Sequence, residues 1–425
     1  MEVSEHHRLA GGSTAHHACK RPWKSTRLLA GFFLGLAISL EDTPALAFST
    51  EPNKGITPFG NYTRTYDSNL LNQSGEGTTP RSDNVDRVEV GTHIDFQISR
   101  QRFTGLFSLS DTKHERFTER DTDGNAHRLR WDSEIGKTLI ASLMGSSVSD
   151  QAPIQTGFVT ANKREQDNLG ASLTWNFHPN YAVLSQFANT ETRFIGTEDT
   201  NEAVLAGLNR DDKTSYIGVA YKPGTGSSTA LLFKQATGVF PTRQIVAPGQ
   251  TVSNNFEQSE TELLTKWNYS EITALTLSLS SVNRQHEEIQ SRDFAGTNYR
   301  LEVFYQPTVK TNFNLIWGKQ IVGISDASNS DALARQLSIA MNMELSSKVM
   351  FQLAYSPQEL QFDGTDGINT APRTESLREG RAGLEFQIDP KVTLGANLRK
   401  RSRDSTLVNT DYSAHSMNIF VRYEH

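Results

Sequence analysis

Apolar side chains occupy every second position in the stretch DALARQLSIAMNMELSSKVMFQLAYS, residues 331–356. Alanine, leucine, methionine and glutamate would suit a helix by propensity, but a period of two is typical of a strand with one apolar face. The alternation stops at residues 346–348 and then resumes. The stretch therefore predicts an antiparallel hairpin closed by a short polar turn.

The same alternation recurs to the end of the chain, interrupted in turn by short breaks and by longer polar connections. Short turns are expected near residues 99–100, 134–135, 178–180, 223–226, 271–272, 307, 346–348 and 390. Long loops are expected over residues 70–85, 112–125, 148–167, 194–212, 238–256, 285–297, 322–331, 357–376 and 403–412. These turns and loops join eighteen strands. Charged residues interrupt the pattern over residues 100–150, so sixteen strands is the alternative.

The predicted fold class is all-β: a transmembrane antiparallel up-and-down β-barrel of about 18 strands. An even strand number places both termini on one side, with short periplasmic turns and long external loops. The hydrophobic fraction of 36% is low for a soluble protein of 425 residues. A barrel with lipid outside and water inside needs apolar side chains at only about half of its strand positions, so the composition agrees with this fold.

The first residues carry an export signal. Four basic residues at 20–27 precede the apolar run LLAGFFLGLAISL at 28–40, and Ala45-Leu46-Ala47 forms a cleavage site. We therefore expect a signal peptide over residues 1–47 and the barrel over residues 48–425, located in the bacterial outer membrane. Cys19, the single cysteine, falls in the removed segment. The net charge of −6 argues against a nucleic-acid partner.

Aromatic residues cluster near the strand ends, as they do in the girdles that mark the two interfaces of a membrane barrel. The outer girdle is expected to contain Trp317 and Tyr355, at the far ends of ascending strands. The residues expected in the periplasmic girdle are Trp175, Phe177, Tyr181, Tyr221, Trp267, Tyr269, Tyr305 and Tyr423.

Polar and charged residues at the alternate positions are expected to face the lumen, because a charge on the lipid face would cost about 2–4 kcal/mol near the midplane. They are interpreted either as a selectivity lining or as cross-strand pairs that only hold the wall together. These candidates are His93, Asp95, Arg102, Arg128, Arg130, Glu262, Lys266, Gln336, Gln352, Arg381, Glu385, Arg399 and Arg422.

Other motifs have simpler interpretations. DTDGN at 121–125 and DGTDG at 363–367 cluster carboxylates in expected outer loops, where ordinary turn chemistry is favoured over a calcium site. GVFPTR at 238–243 is interpreted as a rigid loop base, with an inward constriction as the alternative. No metal or cofactor is expected. No G-x-S-x-G elbow is present and no signal joins His178 or His415 to a serine, so no enzyme activity is predicted.

The stretches ITPFGNYTRTYDSNLL, SRQRFTGLFSLSD, WNFHPNYAV and GVFPTR resemble the EpsL-type proteins of bacterial exopolysaccharide operons, within a wider group of β-barrel porins. The resemblance implies a role in exopolysaccharide export, with outer-membrane lipid, the polysaccharide chain and export-machinery proteins as partners. It implies no catalytic residue. The alternatives are a general diffusion porin for small solutes and, third, a barrel enzyme or assembly scaffold.

Overall fold

The computed structural model describes residues 55–75, 81–152, 161–196, 205–247, 249–323, 331–362 and 373–425. The predicted signal peptide lies outside these residues. No helix in the described segments is long and apolar enough to cross a membrane. The described residues are almost entirely strand.

The strands run alternately in opposite directions. Those that run from the short turns toward the long loops are β1 (Gly55–Asp67), β3 (Gln101–His114), β5 (Leu139–Gln151), β7 (Tyr181–Gly196), β9 (Ser228–Val239), β13 (Thr273–His286), β15 (Thr311–Gly323), β17 (Val349–Phe362) and β19 (Val392–Ser405). Those that return are β2 (Asp83–Ile98), β4 (Thr122–Ile135), β6 (Ala161–His178), β8 (Arg210–Tyr221), β12 (Phe256–Ser270), β14 (Phe294–Thr308), β16 (Asp331–Glu344), β18 (Arg373–Asp389) and β20 (Tyr412–Glu424).

These strands form one closed sheet, in which each strand pairs antiparallel with its neighbours in the chain and β1 also pairs with β20. The described loops opposite the short turns contain four short elements. The loop between β9 and β12 contains a small hairpin of β10 (Gln244–Ala247) and β11 (Gln250–Val252). Two 3₁₀ turns, η1 (Thr118–Arg120) and η2 (Gln290–Arg292), occupy the loops after β3 and β13. The prediction of eighteen strands is confirmed, and the sixteen-strand alternative is wrong.

The hairpin predicted from residues 331–356 is β16 and β17, in which Ala340 lies opposite Ala354. Two turn positions need correction. Pro307 lies inside β14, and the turn follows at residues 309–310. Residues 134–135 close β4, and the turn follows at residues 136–138, where Gly136 adopts a positive φ of 64°. Glycine is the residue that takes this conformation without a steric penalty.

Several loops predicted as long are shorter, because the strands extend beyond the end of the hydrophobic pattern. The loop expected over residues 112–125 spans only 115–121, and that expected over 285–297 spans only 287–293. Above the membrane both faces of a strand meet water, so polar residues occupy outward positions while the backbone ladder continues. The sequence pattern therefore ends before the strand does.

The outward face of the barrel carries a continuous apolar belt. Residues directly opposite each other on neighbouring strands share one face of a sheet, so the register separates outward from inward positions around the whole barrel. Most of the large exposed apolar residues of the strands fall on the outward set, among them Val90, Leu109, Leu129, Leu169, Ile217, Phe233, Leu279, Ile339, Leu398 and Ile419. This belt is the surface that meets lipid.

Nearer the long loops, the outward positions of the strands carry charged residues in place of apolar ones. Exposed ion pairs of this charged collar are Arg64–Asp86 at 3.2 Å, Arg335–Glu359 at 3.5 Å and Arg378–Asp404 at 3.5 Å. Exposed pairs of this type contribute little to stability, about 0–1 kcal/mol each. Their position marks the upper limit of the lipid-facing band.

All ten predicted girdle residues lie on the outward face and are exposed, but two lie elsewhere along the strand than predicted. Trp317 and Tyr355 occupy the middle of β15 and β17, not their far ends. On the outward face, Lys319 follows Trp317 and Glu359 follows soon after Tyr355. The two aromatics therefore sit just below the charged collar, since their strands extend beyond the belt.

Candidate functional site: the barrel lumen

The inward face of the barrel is predominantly polar. The register places all thirteen candidate lumen residues on this face; for example, Asn342 lies opposite Gln352, and Arg381 lies opposite Arg399. Their part in solute passage stays a prediction. These residues differ in whether their side chains form ion pairs with other residues of the wall.

Several of the inward charges form ion pairs within the wall. Arg102 binds Asp95 through two hydrogen bonds of 2.9 and 2.6 Å. Arg130 donates to its strand neighbour Asp132 at 2.8 Å. Paired carboxylates and guanidinium groups satisfy each other's hydrogen-bonding groups, which limits their availability to a passing solute.

Glu262 is buried and is only 2% exposed. Its carboxylate forms an ion pair with Lys234 and accepts a hydrogen bond from Ser278. Lys234 also lies 3.8 Å from Glu260. This network is enclosed within the inner wall, so Glu262 belongs to the interpretation in which charges hold neighbouring strands together.

Three predicted lining residues, Arg128, Lys266 and Glu385, are half-buried and form no ion pair with another described residue. The guanidinium of Arg422 lies 5.3 Å above the Phe420 ring, and the His93 ring stacks on Phe59 at 4.8 Å. Arg128, Lys266, Glu385 and Arg422 are therefore positions at which the wall can offer charge to the lumen.

The first long loop turns toward the lumen after β1. Asn69 is 3% exposed and closes the turn, because its side chain donates to Gln73 O at 2.9 Å and accepts from Gln73 N at 3.0 Å. Arg401 of β19 donates to Asn72 Oδ1 at 3.1 Å and forms an ion pair with Asp67 at 2.9 Å. The loop is thereby fastened to the inner wall.

The second loop on the same side, residues 115–121 between β3 and β4, contributes a buried arginine from η1. Arg120 is 2% exposed and donates to Ala152 O at 3.2 Å. Asp83 accepts hydrogen bonds from the backbone of Arg116 and Phe117 at 3.0 and 3.1 Å, which fixes the loop to its neighbour. Burial lowers the pKa of Arg120, and the charge of Glu119 opposes this shift. Guanidinium groups are not deprotonated in folded proteins, so Arg120 keeps its positive charge.

These two loops and the wall from β14 to β20 enclose a cavity of about 410 Å³, referred to below as the lumen cavity. Among the described residues, both loops and the inner wall contribute polar side chains to this cavity. Described residues that line it include Asn72, Arg120, Gln151, Arg300, Gln336, Ser338, Ser356, Gln358, Glu379, Arg399, Arg401 and Tyr412.

Sequence reasoning identified only Gln336 and Arg399 among these lining residues. Arg401 was not predicted to face the lumen, although it follows Arg399 at the two-residue spacing of one strand face. Arg300 obeys the same alternation on β14. Arg120 carries no such signal, because it lies in a loop and reaches the cavity only through the course of that loop.

The GVFPTR segment forms a loop base, as its favoured interpretation proposed. Phe240 is buried, and its backbone N–H donates to the Asn255 side chain at 2.8 Å. Arg243 binds Glu288 in the neighbouring loop at 2.7 Å.

The acidic stretch at 121–125 is mostly strand and not loop, since β4 begins at Thr122. Asp121 accepts the backbone N–H of His114 at 2.7 Å and so closes the loop. The stretch at 363–367 lies outside the described residues. No group of metal-ligating side chains suited to a metal ion occurs in the described part of the chain.

One serine–histidine pair lies on the outer wall. Ser68 Oγ is 3.3 Å from His415 Nδ1, a contact that the sequence did not indicate. The same hydroxyl accepts the backbone N–H of His415 at 2.9 Å, and Ser68 N donates to His415 O at 3.0 Å. These bonds fasten the first loop to β20, which is a structural role. His178 instead accepts the backbone N–H of Asn180 at 3.1 Å.

Residues 267–425 match the protein family described as "Putative beta-barrel porin 2". The chain is a porin-like outer-membrane β-barrel. No curated protein matches its sequence. Solved structures that resemble this porin-like barrel include OccK2 (OpdF) of Pseudomonas aeruginosa, with 9% identity, 87% of this chain and 98% of that chain covered, and a TM-score of 0.49.

Two further outer-membrane structures show a comparable likeness. The outer membrane protein OpdK of Pseudomonas aeruginosa shares 10% identity over 87% of this chain and 99% of its own, with a TM-score of 0.47. OccAB3 of Acinetobacter baumannii shares 11% identity over 87% of this chain and 99% of its own, with a TM-score of 0.45.

Proposed function

We propose that the protein is a channel that passes small hydrophilic solutes, in particular saccharides, across the outer membrane. The observation that carries the proposal is the lumen cavity, in which charged, amide and hydroxyl groups converge from two loops and the wall. A barrel of this strand number can enclose an aqueous passage. A cavity of about 410 Å³ suits a small molecule, since ligand sites commonly measure about 300–1,000 Å³.

Conductance and solute uptake test this function together. The purified barrel in a planar bilayer is expected to produce discrete current steps, and liposomes containing it are expected to swell faster in monosaccharides than in longer oligosaccharides. Folded protein is verified by its altered migration on unheated gels. Folded protein that neither conducts nor admits a monosaccharide would contradict the channel function.

Exopolysaccharide export is the second candidate, supported by the resemblance to EpsL-type proteins. The amide and hydroxyl groups of Gln336, Gln358, Ser338 and Ser356 can exchange hydrogen bonds with the hydroxyls of a sugar chain. Neighbouring genes for glycosyltransferases and a chain-length regulator would favour this role, and an isolated gene would favour a porin.

The two candidates differ in their response to polymer. An export conduit predicts that polysaccharide fragments reduce the current and that a deletion strain secretes less polysaccharide. If the fragments do not reduce the current and the deletion strain secretes polysaccharide normally, the protein is not a direct export conduit. The small-solute channel then remains as the function.

A further inference from the structure

We propose that the outer wall of the barrel binds the phosphorylated glycolipid of the outer leaflet, at a patch of cations along the upper edge of the lipid-facing band. This basic patch consists of Lys319, Arg335, Arg378 and Lys400. The inference concerns the outside of the barrel and does not depend on the proposed channel function. It rests on the strand register, the ion pairs, the height of the cations and the aromatic residues beneath them.

Two cations of the basic patch lie directly opposite each other on neighbouring strands. Lys319 of β15 is paired in register with Arg335 of β16, on the outward face that also carries Trp317. Like charges in this arrangement repel each other and destabilise the sheet. Arg335 has Glu359 as a partner at 3.5 Å, whereas Lys319 forms no ion pair with another described residue. A bound anion would offset the repulsion between the two cations.

On β1, β2 and β3, the charged collar instead places opposite charges side by side. Arg64 lies opposite Asp86, and Asp86 lies opposite Lys113, so this row alternates in sign. Both cations of the row form ion pairs, since Arg64 is 3.2 Å from Asp86 and Lys113 is 3.3 Å from Asp111. This row therefore has its own counter-charges and is a matched reference for the basic patch.

The basic patch continues on β18 and β19. Arg378 lies opposite Ser402, and Lys400 lies two positions from Ser402 on the same face, so the two cations are diagonal neighbours. Arg378 is 3.5 Å from Asp404, and both of these side chains are more than half exposed. Lys400 is exposed and has no ion-pair partner among the residues that the structure describes. The outward surface from β15 to β19 can therefore attract an anion over several strands.

The height of these residues matches the level of lipid headgroups. Lys319 is eight residues from the start of β15 at Thr311, and Arg335 is nine residues from the end of β16 at Glu344. At about 3.4 Å per residue and a strand tilt of about 40°, the two cations sit roughly 21–23 Å above the short turns, near the upper edge of a band about 25 Å tall. The polar headgroups of a bilayer begin at this edge.

Aromatic and apolar residues lie directly below the two cations. Tyr299 lies opposite Lys319, and its ring is 4.9 Å from the ring of Trp317. Leu337 lies opposite Trp317 and follows Arg335 on the outward face. Aromatic side chains are favoured at membrane interfaces, where one end meets acyl chains and the other meets water. A lipid would therefore place its phosphate between the two cations and its acyl chains against Trp317 and Leu337.

A phosphate monoester suits this pair of side chains. It carries a charge of about −1.5 to −2 at neutral pH and has three acceptor oxygens. The guanidinium of Arg335 can donate two parallel hydrogen bonds to it, and the ammonium of Lys319 adds a compact positive charge. A phosphodiester lipid carries less negative charge at its phosphate, so weaker binding is expected. The phosphate monoesters on the sugars of the outer-leaflet glycolipid therefore match the patch best.

The test counts the lipids bound to the purified barrel in detergent micelles by native mass spectrometry. Diphosphoryl lipid A and the same lipid with its phosphates removed form a matched pair that differs only in phosphate. The phosphorylated form is expected to reach half occupancy at a concentration about tenfold lower, since charge-assisted hydrogen bonds contribute roughly that factor or more. Added salt is expected to reduce this difference, because the cations are exposed and their charges are screened.

The double variant Lys319→Gln/Arg335→Gln is expected to need about tenfold more of the phosphorylated lipid for half occupancy. The control Arg64→Gln/Lys113→Gln removes the same charge from outward positions of the collar on β1 and β3 and is expected to keep the preference. Altered migration on unheated gels verifies that each variant is folded. The single variant Lys319→Gln leaves the Arg335–Glu359 pair in place and is expected to lose part of the preference.

Three results would overturn the lipid site. Equal binding of the two lipids would leave only adsorption to the apolar belt. Equal loss of preference in both double variants would assign the effect to the overall charge of the barrel. Dimers that form without lipid and disappear in Lys319→Gln/Arg335→Gln would assign the basic patch to a second copy of the chain, in which Asp167, Glu191 and Asp211 lie side by side on the outward face.

Discussion

Replacing Ile339 with arginine tests the lipid-facing assignment most directly. Ile339 is 42% exposed on the outward face of β16 and lies opposite Leu315 and Tyr355. It is five residues from the end of its strand at Glu344. At about 3.4 Å per residue and a strand tilt of about 40°, it sits roughly 13 Å above the short turn, near the middle of a band about 25 Å tall.

The loss of stability depends on how deep in the membrane the new arginine side chain lies. Arginine on the lipid face costs about 2–4 kcal/mol at the midplane and about 0–1 kcal/mol near the interfaces. Leu333 faces the same way on the same strand, but it lies beyond Arg335 of the charged collar. Leu333→Arg is therefore expected to cost about 0–1 kcal/mol. The two variants should differ by about 2–3 kcal/mol although the new side chain is the same.

The free energy of unfolding is measured by urea titration of the protein in phospholipid vesicles, with tryptophan fluorescence as the signal. Gln352→Arg serves as the inward control, because Gln352 lies opposite Asn342 and faces the polar lumen. Its cost is expected to stay below about 1 kcal/mol, since substitutions away from packed or buried polar groups are usually small.

Two results would refute the assignment. If Gln352→Arg blocked folding while Ile339→Arg did not, the faces would be reversed, as a one-residue slip in register would produce. If Leu333→Arg and Ile339→Arg were equally costly, the belt would extend over the whole strand and the charged collar would not mark the edge of the lipid.

Two further predictions concern the lumen and the loops. Replacing Arg128, Arg130 and Arg381 with glutamine should shift ion preference toward cations, because fixed positive charge in a narrow passage favours anions; the reversal potential in a salt gradient measures this, and an unchanged value would contradict it. In the outer loops, the hydrogen bond from Arg243 lowers the pKa of Glu288, and the backbone N–H of Ser253 acts in the same sense. This contact should stabilise the β10–β11 hairpin at pH above the ordinary glutamate pKa and weaken as the pH falls through the lowered value. After correction for the intrinsic pH dependence of amide exchange, the protection of the hairpin amides should then fall only in acid. Arg243→Gln should reduce that dependence, because the backbone N–H of Ser253 still binds Glu288.

The alternating pattern by itself determined the number of strands, the side on which each loop lies and the face on which each residue points. This was possible because a strand side chain responds to its nearest surroundings, lipid or water, and the period of two records that choice locally. All thirteen lumen candidates accordingly fall on the inward register. The pattern misplaced two short turns by a few residues, and it ended too early where strands rise above the membrane, as at β3 and β4, because water on both faces removes the contrast.

The tertiary structure alone decided which inward charges are paired and which surround the lumen cavity. Asp67 and Arg401 meet because the barrel closes β1 on β20, which brings distant parts of the chain together. Arg120 reaches the lumen through a loop whose course depends on Asp83 of the neighbouring strand. Pairing and loop position depend on contacts between residues far apart in the chain. Alternation within one strand carries no information about such contacts.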